Sequence, residues 1–140
     1  MYTYFLERFI QAQNYHYQNA VEELKKGKKE THWMWFIFPQ LKGLGRSYNS
    51  QYYGLDGYDE TYQYYNNDIL RSRIIEICHI LLENNKDKKI EDVMDEIDAV
   101  KLKSSMTLFY YVTRNVLFKE VLDVFFEGNQ DVRTLSLINF

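Results

Sequence analysis

The chain has 140 residues, 46% hydrophobic and 26% charged, with a formal net charge of −3. Size scaling gives about 7,700 Å² of folded surface from roughly 24,600 Å² unfolded, so one domain can build a core without metals or disulfides. Cys78 is the only cysteine, no apolar run approaches the ~20 residues of a membrane span, and the acidic balance argues against general nucleic-acid binding.

Residues 1–8 carry no basic or apolar leader pattern, so the expectation is a cytoplasmic protein without a signal peptide. Thr3 reads as the N-cap of a first helix with Phe5, Phe9 and Ala12 on one face. A break is expected near Asn14. Tyr17, Ala20, Val21 and Leu24 then make a second stripe that Gly27 ends, after Lys25 and Lys26. Residues 32–38 are apolar on all sides, which leaves helix and strand equally open, and Pro39 closes the run. The stretch 40–57 is loop-rich, with Ser47 as the cap of a short helix, and another helix is expected over about 58–65.

Asp68 reads as the cap of the clearest helix, with Ile69, Leu70, Ile74, Ile77, Cys78, Leu81 and Leu82 on its apolar face and Asn84-Asn85 at its end. A charged loop over 86–89 leads to a short helix near 90–94. Asp98 reads as the next cap, ahead of Leu102, Met106 and Phe109. Val116, Leu117, Val121, Leu122 and Phe125 form another stripe, ended by Gly128, and Asp131 caps a last turn with Leu135 and Ile138. The expected architecture is all-α: one compact domain over 1–140, an array of about seven or eight short helices.

Three groups carry candidate chemistry. Gly43-Leu44-Gly45-Arg46-Ser47 offers glycines that permit close backbone approach, amides ahead of a helix, and a forked cation for phosphate. The third glycine of a dinucleotide fingerprint is missing, and a plain turn explains the same residues. In His32, Trp33, Trp35, Phe36 and Phe38, the two tryptophans cannot share a helix face, so one is expected in the core and the other elsewhere. A tryptophan that lines a pocket can stack on a base, and His32 can act as an acid or base near neutral pH; core packing explains most of the run. Lys101, Lys103, Ser104 and Ser105 lie in an apparent helix, where Ser105 faces inward and needs a partner or a pocket. Three scattered histidines and one cysteine give no ligand spacing, so neither a metal nor a cofactor is expected.

Together, residues 32–40, 43–47 and 101–109 resemble the domain-of-unknown-function family 1810, whose bacterial members are often mislabelled calpastatin. Arg8-Phe9, Ala12-Gln13, Leu24, Gly27, Asp131 and Thr134-Leu135 extend the likeness nearly end to end. It implies a compact all-helical cytoplasmic domain and no settled activity. Ile10-Gln11-Ala12-Gln13 and the stretch from Trp35 to Gly45 are more loosely similar to the NADAR family, in a different chain order. That likeness implies action on ADP-ribose or related N-glycosides.

The leading expectation is a pocket for a phosphorylated nucleoside such as ADP-ribose or an NAD-derived nucleotide. Arg46, the amides of Gly43 and Gly45, and Lys101 or Lys103 hold phosphate, Trp33 or Trp35 stacks, and Gln40 and Ser105 orient hydroxyls. His32 and Ser47 complete the candidate set. N-glycoside hydrolysis needs a carboxylate, from Asp56, Asp59 or Glu60, and a binder or sensor without turnover fits equally. The alternative is an interaction or assembly module using Tyr48, Tyr52, Tyr53, Tyr58, Tyr62, Tyr64 and Tyr65. The oligomeric state is left open.

Overall fold

The computed structural model describes residues 4–139, which form nine helices. They are α1 (Glu7–Lys26), α2 (Met34–Ile37), α3 (Tyr48–Tyr52), α4 (Gly57–Asn66), α5 (Asp68–Asn85), α6 (Ile90–Val93), α7 (Glu96–Thr113), α8 (Val116–Phe126) and α9 (Val132–Ile138). The class is all-α. The ambiguous apolar run at 32–38 resolves as α2, a single turn. Among the described residues the extended pairing is one isolated bridge, Leu41 with Leu55. No described helix is long and apolar enough to cross a membrane. The expected Thr3 cap lies outside the described residues.

Two corrections concern caps. Asn67, not Asp68, starts α5: its side chain accepts from the amides of Ile69 and Leu70, and Asp68 becomes an exposed first residue paired with Arg71. Asp95, not Asp98, starts α7 by accepting from the Asp98 amide at 2.7 Å. In both cases the true cap lies outside the apolar stripe, and a second polar residue obscures it. At the end of α8, Glu127 takes the left-handed conformation before Gly128 does.

The expected break near Asn14 is absent, and α1 runs for 20 residues. The stripe reads as interrupted because position 13 is polar. Gln13 is nevertheless buried, and its amide donates to the Phe36 carbonyl at 2.7 Å and to the Tyr64 hydroxyl at 3.0 Å. Asn14 faces outward and accepts from Arg73. Gly27, at φ 84°, closes α1; a Cβ there would meet the Lys88 ammonium at 1.9 Å. Next to it, Asn85 at the end of α5 donates to the Leu24 carbonyl at 3.0 Å.

The core lies between the α1–α5 and α7–α8 pairs, with α2 and α4 inserted. Tyr64 packs edge-on against both Phe9 and Phe109. Cys78 is fully buried against the Met106 sulfur, and burial pushes its thiol far above the ordinary range.

Two buried acids fix the chain between helices. Glu23 of α1 receives the amides of Glu30 and Thr31, the Thr31 hydroxyl and, at 3.0 Å, the Trp33 indole N–H. Burial alone raises its carboxyl, but these donors outweigh burial and hold it below its ordinary value of 4.5. Glu60 of α4 takes Arg8 in a two-pronged pair at 3.0 and 3.1 Å, with both side chains buried.

The Arg8→Met variant leaves Glu60 charged and buried, and is expected to lose about 3–5 kcal/mol, whereas Arg8→Met with Glu60→Met loses less. Urea unfolding of the three proteins checks this. A depressed carboxyl stabilises the fold above its unfolded value and ceases to do so as pH falls through its folded value. The stability gap between the wild type and Glu23→Gln is therefore expected to be full above about pH 5.5 and to narrow below 4.5, as read from urea midpoints across that range.

Candidate functional site

A cavity of about 340 Å³ opens between α2, the 40–54 segment, α7 and α9, at the lower end of ligand-pocket sizes. Trp35 enters it from α2. Gln40, Leu41, Leu44 and Gly45 come from the connector after Pro39, and Ser50, Tyr53 and Gly54 from α3 and the turn beyond it. Ile97, Val100, Lys101 and Ser104 supply the α7 wall at a helical spacing of three and four. Asp131 and Arg133 close it from the start of α9.

The connector approaches α3 very closely. Lys42 donates its amide to the Leu55 carbonyl at 2.8 Å, and Leu55 returns one to Gln40 at 2.9 Å. Gly54 sits at this crossing, where a Cβ would lie 2.6 Å from the Ser50 carbonyl oxygen and 2.7 Å from the Lys42 Cα. Both obstacles are backbone, so only glycine fits. Gly54 also lines a second, more open hollow on the other side, with Arg8, Lys42 and Tyr52.

Asp131 is the acidic side chain among the lining residues. Its Oδ2 accepts from Ser104 Oγ at 3.0 Å, from the Thr134 amide at 3.0 Å and from the Thr134 hydroxyl at 2.5 Å. Its own amide donates to Thr107 Oγ1 at 2.8 Å. This arrangement caps α9 through Oδ2. Two cations share the cavity. Arg133 donates to the Leu44 carbonyl at 2.8 Å, which straps α9 to the connector. Lys101 lies 3.5 Å from Asp98, with its ammonium 4.0 Å from the centre of the Trp35 ring.

The structure gathers Trp35, Gln40, Gly45 and Lys101 of the sequence candidates around this cavity. The two tryptophans part as their spacing requires: Trp33 has no exposed surface and bonds to Glu23, while Trp35 is half-buried. Ser47 caps α3 and bonds to Ser50. Arg46 is exposed outside the cavity, and Gly43 turns at φ 105° toward Leu137. His32 is exposed beside Lys28, Glu91 and Asp92. Lys103 is half-buried off the lining, and Ser105 Oγ is buried without a hydrogen-bond partner among the described residues. Glu60 is committed to Arg8, and Asp56 and Asp59 are exposed away from the cavity. Tyr64 is core, whereas Tyr48 stacks on Tyr52 and Tyr58 on Tyr62 at the surface.

Sequence reasoning did not select Asp131, Arg133 or Tyr53 for the site. Asp131 is visible as a cap and Arg133 as one exposed cation among many. Neither signal says that α9 folds back over the connector.

No curated protein matches the chain. The crystal structure of the conserved hypothetical protein Rv1873 from Mycobacterium tuberculosis is similar, at 39% identity over 96% of each chain and a TM-score of 0.92. The sequence pattern of one family, described as "Protein of unknown function (DUF1810)", matches residues 3–138. That match takes in every helix from α1 to α9 and all the cavity-lining residues, so the chain belongs to the DUF1810 family.

Proposed function

We propose that the cavity binds a phosphorylated nucleoside, such as ADP-ribose or an NAD-derived nucleotide. The observation that carries this reading is the grouping of an indole face with two cations in one concavity, Trp35 with Lys101 and Arg133. Lys101 keeps the phosphate-holding role expected of it, and Arg133 takes the one expected of Arg46. Trp35 and Tyr53 offer rings for stacking, and Gln40 and Ser104 offer polar contacts that fix orientation. Leu41 and Leu44 line the inner apolar wall beside these groups, and Ile97 and Val100 stand exposed at the mouth.

Asp131 gives the site a route to N-glycoside hydrolysis. A carboxylate beside the sugar C1′ can stabilise developing positive charge or activate the attacking water. The same cavity without turnover makes a nucleotide sensor or sequestering protein. A cytoplasmic location belongs to this reading, because its ligands are cellular nucleotides. Gln13, part of the short word read as similar to NADAR proteins, serves the contact between α1 and α2 and takes no part in this reading. A second reading, docking of a protein partner, rests on the stacked exposed tyrosines. It predicts a size in chromatography that changes with concentration or with an added partner.

A thermal-shift screen of adenine nucleotides, NAD and ADP-ribose, followed by chromatography of each mixture, tests the proposal. At 100 times its dissociation constant a ligand adds about 2.7 kcal/mol, a rise of roughly 8 °C for a domain of this size. Arg133→Met is expected to lose most of the shift, and Arg46→Ala to keep it. If products form, Asp131→Asn, which preserves the cap, is expected to bind without cleaving. No shift and no products across the panel would sink the nucleoside reading.

A further inference from the structure

We propose that Lys101 is a two-position cation that restricts the cavity to ligands carrying an anion and a planar ring together. This rests on the reading of the cavity as a nucleotide site and specifies how it selects its ligand. The ammonium lies 4.0 Å from the centre of the Trp35 ring, so it covers one face of that ring. A base cannot stack on this face until the ammonium moves.

The ion pairs around Asp98 make Lys101 the member that is free to move. Asp98 Oδ2 holds Lys29 at 2.9 Å, in a pair whose side chains are 7% and 13% exposed. Lys29 is fixed further by the Thr31 carbonyl at 2.6 Å. The other oxygen, Oδ1, reaches Lys101 only at 3.5 Å. The carboxylate is therefore committed to Lys29, and its hold on Lys101 is the longer and weaker one. Arg133, bonded to Leu44, has no comparable freedom. The lysine stem is four carbons long and flexible, and a compact ammonium prefers a phosphate oxygen to a ring face.

An anion in the cavity draws Lys101 off Trp35 and uncovers the ring. A nucleoside without phosphate must displace the ammonium unaided. An inorganic anion moves the ammonium but leaves the ring unfilled. Only a ligand with both parts collects both contacts, and the coupling is reciprocal.

The test uses acrylamide quenching of tryptophan fluorescence, which reports Trp35 because Trp33 has no exposed surface. Inorganic pyrophosphate is expected to raise the quenching constant about twofold over sodium chloride of equal ionic strength, by removing the cation from the ring. Lys101→Ala is expected to begin at the high value and not to respond, and Lys101→Gln, which keeps most of the length without the charge, also fails to respond. In titrations, the wild type is expected to favour adenosine 5′-monophosphate over adenosine by about tenfold or more. Lys101→Ala is expected to weaken the monophosphate while tightening adenosine, opposite signs that a merely structural lysine does not produce. Unchanged quenching with pyrophosphate, or equal weakening of both ligands, overturns the proposal. Quenching that rises with pyrophosphate while neither nucleoside binds supports the movable lysine and overturns the nucleoside reading.

Discussion

The guanidinium of Arg8 holds together the part of the chain that has no regular structure of its own. Its N–H groups reach the carbonyls of Phe5, Tyr52 and Gly54 and both oxygens of Glu60. The Tyr52 and Gly54 carbonyls lie at and just beyond the end of α3, where no following helical turn supplies donors, and a buried carbonyl without a donor is costly. One side chain of α1 thus fixes the end of α3, the Gly54 crossing and the start of α4. Ser50, Tyr53 and Gly54 belong to that segment, so the cavity wall is held by a charge pair on the far side of it.

The helices were legible in the sequence because a stripe repeating every three or four residues survives whatever the tertiary partner is. That is why the faces of α5, α7 and α8 could be read, except at Ile69 and Val116, which begin the expected stripes of α5 and α8 and are exposed. Buried polar residues defeated the same rule. Gln13 broke the stripe of α1 on paper while bonding to Phe36 and Tyr64 in the core. Caps failed where two candidates stood close together, at Asn67-Asp68 and at Asp95 and Asp98, because only backbone geometry decides between them. The cavity was half legible. Trp35, Gln40, Gly45 and Lys101 stood in compact sequence words. Asp131 and Arg133 did not, since Asp131 is placed by bonds to Ser104 and Thr107 of α7 and Arg133 by its bond to Leu44 in the connector.

The hydroxyls in the middle of α7 have a similar explanation. Helix propensity gives no reason for Ser104 and Thr107 three residues apart. The reason is α9: Ser104 donates to the Asp131 side chain and Thr107 accepts from the Asp131 amide. Two small residues allow the close approach, and their oxygens secure it. The helix that supplies Lys101 therefore also carries the seat for the helix that supplies Arg133, so short contacts fix the spacing of the two backbones from which these side chains reach into the cavity.

The Gly54 crossing divides the cavity's surroundings into two kinds of position. At the floor, backbone meets backbone, and no other residue type can be accommodated. At the mouth, Ile97 and Val100 are 70% and 56% exposed, so exchanging them costs the fold little. Changes in the shape of this cavity are thus steered to its mouth, where they leave its supporting contacts undisturbed. The mouth of this hollow can therefore be reshaped by substitution at little cost to the fold, while its floor is pinned at one position that must lack a side chain.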